Sequence, residues 1–239
     1  MVIIFLLSTS FVVRAQLIES FDDVNMLQTA GWIFDNRSDF PTKVFWAQGI
    51  ESLFSAHSGS ATSYIFNTTA SGADLVCNWL IMPDVGSIDQ LSFYTRSQNN
   101  SNEVTRMLVM YSPTGTVNTG DCTSAAVKSI ESKGGNDFGD FQTLLSINQN
   151  QDTGGYPQEW TEYTVDVNGN GRIAFLYYVE TGAPNFNSGT LAIDTISRGA
   201  GSPIPGQVQV VPTINDFGLL MLLSLIIIIG IIKTGAIKT

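Results

Sequence analysis

Two neighbouring stretches limit what this chain can fold into. In Thr161-Glu162-Tyr163-Thr164-Val165-Asp166-Val167 the apolar side chains recur at every second residue. Tyr163, Val165 and Val167 face one way, while Glu162, Thr164 and Asp166 face the other. A period of two is that of a strand with one face on a core and the other in water. A few residues on, 171–179 (GRIAFLYYV) is apolar at both parities, the pattern of a central strand covered on both sides. Residues 75–82 (LVCNWLIM), 91–95 (LSFYT), 107–111 (MLVMY) and 191–196 (LAIDTI) supply four more strands, and 16–21 (QLIESF) a first one. Pro83 ends the strand at 75–82, because proline cannot donate to a ladder. Between the ends no stretch carries a long 3.6-residue period with caps. Many short strands joined by Asn/Gly turns predict an all-β fold, a two-sheet jelly-roll sandwich.

Charge narrows the partners. Only 13% of the residues are charged and the formal net charge is −10. Of the ionised residues only Arg14, Asp216, Lys233 and Lys238 lie outside 16–210, so the central domain is more acidic than the whole. Such a surface repels a phosphate backbone and excludes nucleic acid as a partner. The two cysteines, Cys77 and Cys122, form no CxxC pair, and a lone histidine, His57, leaves no Cys/His spacing for zinc. In an oxidising compartment Cys77 and Cys122 would pair, closing a loop worth at most ~4 kcal/mol; two separate buried thiols are the alternative.

Both ends are apolar. Residues 2–13 form a hydrophobic run leading to Val13-Arg14-Ala15, which predicts a Sec-type signal peptide over 1–15 cut after Ala15. The first few residues lack the usual Lys or Arg, and Arg14 lies at the −2 position. A domain over 16–198 follows, then a Gly/Pro linker over 199–210 that begins GAGSPIPGQVQ. Residues 217–232, FGLLMLLSLIIIIGII, carry no charge and precede Lys233 and Lys238. As a helix this run is about 24 Å long, short of a ~30 Å hydrocarbon core unless Ile214 and snorkelling lysines extend it, and a membrane-inserted helix is the expectation. The positive-inside rule then leaves the domain outside the cytoplasm, anchored at least transiently in the inner membrane.

Just before this run, Val211-Pro212-Thr213-Ile214-Asn215-Asp216-Phe217-Gly218 resembles the I-P-T-L-S-E-W-G signature of IPTL-CTERM sorting tails, with Val for Ile, Asn-Asp for Ser-Glu and Phe for Trp. That resemblance, carried by Val211, Pro212, Thr213, Phe217 and Gly218, implies a sorting signal over 211–239 and an exosortase-like membrane protease as partner. The two spaced lysines depart from the tight basic cluster of such tails. A second resemblance covers nearly all of 18–198. Phe21-Asp22-Asp23-Val24 with Gly31-Trp32, Phe45-Trp46, Asn78-Trp79-Leu80-Ile81-Met82-Pro83, Gly154-Gly155-Tyr156-Pro157 with Trp160, and Ile193-Asp194-Thr195-Ile196 look like the choice-of-anchor J domain. That family, related to the cleaved-adhesin domains, implies a jelly roll at a bacterial surface, and it offers no catalytic residues to carry over.

Three clusters invite chemistry. Asp166-Val167-Asn168-Gly169-Asn170-Gly171 opens like an EF-hand loop, but Tyr177 stands where the bidentate glutamate belongs; an Asn-Gly hairpin turn is the better expectation. Glu19, Asp22 and Asp23 flank the first strand and Asp194 lies in the last. If a jelly roll sets those strands side by side, their oxygens are the set that would hold a structural Ca²⁺, the one cofactor the chain suggests. The alternative is that they cap turns and bond the backbone. Among the aromatics, Trp79 and Trp160 fall within strand patterns and are expected in the core. Tyr156, in a Gly/Pro loop, is the ring expected at the surface against a glycan or other surface ligand. His57 has no G-x-S-x-G elbow and no second histidine to work with. The chain therefore reads as a non-enzymatic, surface-anchored or secreted adhesin-like binding protein. The alternatives are an exported carbohydrate-binding or carbohydrate-active protein and a structural envelope or matrix component.

Overall fold

The computed structural model describes residues 16–38, 44–69, 75–99, 101–122, 137–179 and 189–199. Among them lie β1 (Gln16–Glu19), β2 (Ile33–Asn36), β3 (Val44–Gln48), β4 (Ile65–Thr69), β5 (Val76–Ile81) and β6 (Ile88–Arg96). They are followed by β7 (Met107–Ser112), β8 (Gln142–Ile147), β9 (Thr161–Gly169), β10 (Arg172–Val179) and β11 (Leu191–Arg198). One sheet runs β3-β4-β11-β6-β9, with β1 also pairing with β11; the other runs β2-β5-β10-β7-β8. Every pairing is antiparallel. This is the all-β, jelly-roll-like sandwich expected from the periodicities. The only helical element among the described residues is a single 3-10 turn, Val24–Met26, capped by Asp23.

The two parities of β10 explain its doubly apolar sequence. Ile173, Phe175, Tyr177 and Val179 enter the core between the sheets with Leu80, Phe93, Val109 and Ile193. Ala174, Leu176 and Tyr178 face outward, yet they are buried in a second cluster with Trp79, Met110, Cys122 and Phe141. Phe138 and Phe141, just before β8, pack on this outer face, and a disulfide joins Cys77 of β5 to Cys122. The Trp79 indole donates to Cys122 Sγ at 3.3 Å. The alternation of β9 also holds: Val165 and Val167 are buried, while Glu162, Thr164 and Asp166 are exposed.

One expectation is corrected. Residues 166–171 do form a tight turn, with Asn168 at φ 53°, but it is no hairpin. β9 pairs with β6 in one sheet and β10 with β5 and β7 in the other, so the turn is a corner between sheets. The Tyr111 hydroxyl fills it, accepting from Gly171 N at 3.1 Å. A Cβ on Gly169 or Gly171 would strike that ring.

The proposed signal segment 1–15, the linker beyond Gly199, the motif residues Val211 to Gly218 and the apolar run 217–232 lie outside the described residues. Among the described residues no helix is long and apolar enough to cross a membrane.

Candidate functional site

The connection between β3 and β4 is long, and it builds the site. Gln48 and Ile65 pair across the two strands, so residues 49–64 leave and re-enter at one point as a compact loop. Backbone bonds close it internally: Gly49 N donates to Tyr64 O at 2.7 Å and Ala56 N to Ala61 O at 3.0 Å. The buried Tyr64 hydroxyl donates to Ile50 O and accepts from Ile50 N. Gly49 lies directly beneath the Tyr64 ring, and a Cβ there would run into the ring and stand 2.7 Å from Thr62 O. Gly49→Ala is therefore expected to cost about 1–3 kcal/mol through overpacking and to displace the loop. Chemical denaturation of the variant, with the loop amides followed by NMR, checks both effects.

The loop lies over the outer face of the β3-β4-β11-β6-β9 sheet, and three ties hold it there. His57 stacks on Tyr94 of β6 with centroids 3.5 Å apart and planes 14° apart. Ser58 N donates to Asp194 Oδ2 of β11 at 2.9 Å. Trp160, just before β9, donates from Nε1 to Ser55 O at 2.9 Å. Beneath the loop, Phe54, Tyr64, Phe66 and Ala192 make a small separate core, with Trp160 packed against it. Arg96 props this core from below, its guanidinium 4.3 Å from the Phe54 centroid. That group is tied to Gln158 O and Asn99 Oδ1 and pairs with Glu159 at 3.6 Å. Burial draws Arg96 below the ordinary arginine range, while the Glu159 carboxylate opposes that shift.

The result is a shelf of partly open rings beside carboxylates. His57 is exposed, Tyr94 and Trp160 are half-buried, and Glu159 and Glu162 stand in solvent. Glu162 lies opposite Tyr94 across the β6–β9 ladder. Desolvation raises the Tyr94 phenol first, and the charge and hydrogen bond of Glu162 raise it further.

Other expected site residues sit elsewhere. Tyr156 is 2% exposed and belongs to the main core, not to a ligand face. The Gly154 turn, at φ 66°, folds the loop inward, and the Tyr156 hydroxyl bonds Thr95 Oγ1 at 2.6 Å. Burial pushes that phenol well above its ordinary range. Trp160, expected in the core, is half-buried and packs against the small core under the loop. The sequence did carry a cue to Tyr94: with Phe93 turned inward, the next residue on a strand faces out.

The carboxylates Glu19, Asp22, Asp23 and Asp194 are not collected into one group. Among the described residues no three His, Cys, Asp or Glu side chains come within reach of a single cation. Glu19 accepts from the backbone N–H of Ser20 and Phe21, and Asp23 caps the 3-10 turn. Asp22 accepts from the hydroxyls of Ser20 and Ser63. Asp194, fully buried, accepts from Ser58 N and from Thr195 N and Oγ1.

Asp22 and Asp194 shift in opposite directions. The hydroxyl bonds from Ser63 and then Ser20 hold Asp22 below 3.8. Desolvation lifts Asp194 above 3.8 despite its N–H donors. Asp22 thus stabilises the fold above 3.8, and that stabilisation is lost as the pH falls through its lowered folded value. Asp194 has the reverse sign: its contribution is most favourable below 3.8 and is lost as the pH rises through its raised folded value. Carboxyl-carbon NMR titration is expected to show the two midpoints on opposite sides of 3.8.

Hydrolytic chemistry is not what this arrangement offers. His57 Nδ1 meets Thr195 Oγ1 at 3.1 Å, and Ser58 Oγ lies 2.7 Å from the same oxygen. The carboxylate of Asp194, however, sits on the Thr195 hydroxyl and backbone instead of on the imidazole. A nucleophile–imidazole–carboxylate relay requires the opposite order.

The fold is thus a two-sheet, jelly-roll-like sandwich with a loop-built aromatic shelf on one outer face. Residues 15–140 match the Cleaved Adhesin Domain, and the chain belongs to that family. It is similar to the K2 Cleaved Adhesin Domain of Lys-gingipain, with 20% identity over 78% of this chain and 98% of that one, at a TM-score of 0.49. The K1 domain of the same protein, from Porphyromonas gingivalis, is 15% identical over 72% and 92% of the respective chains, at 0.46. The CBM22-1 xylan-binding domain from Paenibacillus barcinonensis is 12% identical over 81% and 99%, at 0.43. No curated protein matches this chain.

Proposed function

We propose that this chain is an exported, non-enzymatic, adhesin-like binding module, held or sorted at the cell envelope, that meets its ligand through the shelf of His57, Tyr94 and Trp160. The observation that carries the proposal is the open ring surface itself. Large aromatic side chains contribute most when buried, yet here the 49–64 loop bonds Trp160 and stacks His57 on Tyr94 at the solvent boundary, beside the exposed carboxylates of Glu159 and Glu162. Membership in the Cleaved Adhesin Domain family supports a surface role. Within that family the motifs of 18–198 favour the choice-of-anchor J type, and the tail over 211–239 supports delivery through an exosortase-like protease.

The test uses cells producing the full chain, compared with cells lacking it, for attachment to immobilised glycans, matrix proteins and other cells. Attachment conferred by the chain, and reduced at least about tenfold by Trp160→Ala with His57→Ala, is the expected result; removing two interface rings is of hot-spot size. A mature mass lacking both apolar ends is expected alongside it. Chain that confers no attachment and remains intact in the inner membrane would overturn the proposal.

A further inference from the structure

The shelf does not end at its rings. Below it, the outer face of β6 and β9 continues as a strip of small and polar side chains, set by the register of the two strands. Tyr94 lies opposite Glu162, Ser92 opposite Thr164, and Gln90 opposite Asp166. On the β11 side, Ser197 lies opposite Ser92 and their hydroxyls are 2.8 Å apart. Gln90 Nε2 donates to Asp166 Oδ1 at 3.1 Å, so that pair closes the far end. Glu162, Thr164, Asp166 and Gln90 are exposed, and Ser92 and Ser197 are partly so. From Tyr94 to Gln90 the strand advances about 13 Å at the usual rise per residue. The strip is low because its middle carries only Ser and Thr, and the rings wall it at one end.

We infer that this strip is a binding site for a neutral glycan, with one pyranose against the open rings of Trp160 and His57 and further units running along β6 and β9 toward Asp166. The inference rests on the adhesin-like proposal above and names its ligand class. The chemistry matches at each end. An aromatic face carries negative π density and attracts the weakly positive C–H groups of a pyranose. Ionised carboxylates only accept hydrogen bonds, whereas sugar hydroxyls both donate and accept. Glu162 and Asp166 therefore suit hydroxyl donors, and the serine and threonine hydroxyls suit either role. Charge fixes the class further. Glu159, Glu162 and Asp166 line one edge of a domain whose chain bears a net charge of −10, which disfavours uronate or sulfated chains by like-charge repulsion.

The test is affinity electrophoresis of the full chain through gels containing soluble xylan, mannan, galactan or mixed-linkage glucan, with polygalacturonate and heparin as anionic controls. Retardation is expected with at least one neutral polymer and with neither anionic one, unchanged between low salt and 0.5 M NaCl, a molarity set on the order of the screening regime of a few-ångström Debye length. Thr164→Arg, at an exposed position in the middle of the strip, is expected to abolish that retardation while leaving the melting temperature unchanged. Trp160→Ala is expected to weaken it at least about tenfold, as loss of a stacking anchor does. Retardation that persists in Thr164→Arg would place the glycan elsewhere and overturn the inference. Failure with every neutral polymer, in a chain that still confers attachment sensitive to Trp160→Ala, would overturn the glycan while leaving the adhesin-like proposal intact. Attachment that disappears with salt would assign the strip to a basic peptide instead.

Discussion

Replacing both cysteines, as Cys77→Ala with Cys122→Ala, is expected to cost the domain roughly 2–4 kcal/mol, the usual value for a native disulfide closing a loop of this length. The two residues are 45 apart in sequence, so the bond removes substantial freedom from the unfolded chain. Its position in the folded state adds to the effect. Cys77 and Cys122 are both fully buried, and Cys122 anchors the chain that covers the outer face of β5, β7 and β10. Phe141 lies 5.0 Å and Phe138 6.0 Å from the Trp79 ring under that cover. For a domain of this size a loss of that order lowers the melting temperature by about 5–15 °C. Once the tether is gone, the cover opens before the sandwich does. Trp79 emission should shift to the red at lower denaturant than the loss of β-structure by circular dichroism, where the wild type shows coincident transitions. Unchanged midpoints by both probes would mean that packing alone holds the cover. The bond also suits an oxidising compartment, and protein produced with the thiols reduced should behave like the double variant.

How much of this could be read from the chain follows from burial. β5, β6, β7, β9, β10 and β11 announce themselves because each packs a continuous apolar row on the core, and three of them, β5, β7 and β10, on a second cluster as well. β2, β3, β4 and β8 did not; β2, β3 and β8 are sheet edges, where a short strand keeps only a few apolar side chains. The Gln142–Ile147 strand has its first two residues exposed and a register shift against β7, so its alternation is blurred. β4 hides differently, since its inward residue Asn67 is polar yet fully buried. The site was legible only in part. Parity on β6 and β9 places Tyr94, Glu162, Thr164 and Asp166 on one face, as the alternating pattern says. What parity cannot say is which ring a long loop will carry across the sheet. His57 joins Tyr94 through a contact 37 residues apart in sequence, and Tyr156 went inward because a glycine turn and the Thr95 hydroxyl received it. The acidic residues Glu19, Asp22, Asp23 and Asp194 are a further case, because their order in the sequence does not say which donor each will meet. Each such carboxylate had a nearer backbone or hydroxyl donor to satisfy.

Asp194→Ala is expected to release the loop that carries the shelf and to lower stability by roughly 3 kcal/mol, since each buried donor left unpaired costs about 1–3 kcal/mol. Asp194 sits just before a break in the β11–β6 register, where Thr195 adopts φ 50°. That break leaves N–H groups without a ladder partner, and the carboxylate takes up Thr195 N on its own strand and Ser58 N on the loop. His57 N also bonds it. One side chain thus stabilises a left-handed residue in β11 and pins the two loop residues that set the imidazole on Tyr94. Ser58 is half-exposed, so water can replace part of its lost bond, which keeps the cost below the sum of three donors. The local consequence is larger than the global one. Amide exchange at His57 and Ser58 should accelerate far more than exchange in β10, because the loop can open without the sandwich unfolding. Asp194→Asn separates charge from geometry: its amide oxygen still accepts, but its NH₂ group meets a backbone donor where the second carboxylate oxygen stood. That variant is expected to retain about half of the stability difference and to lose the part of the pH dependence that belongs to Asp194, the decline in stability as the pH rises above 3.8 through its raised folded value. If both variants leave loop exchange and attachment at wild-type rates, Asp194 does not hold the shelf, and the rings must be positioned by Trp160 and Arg96 alone.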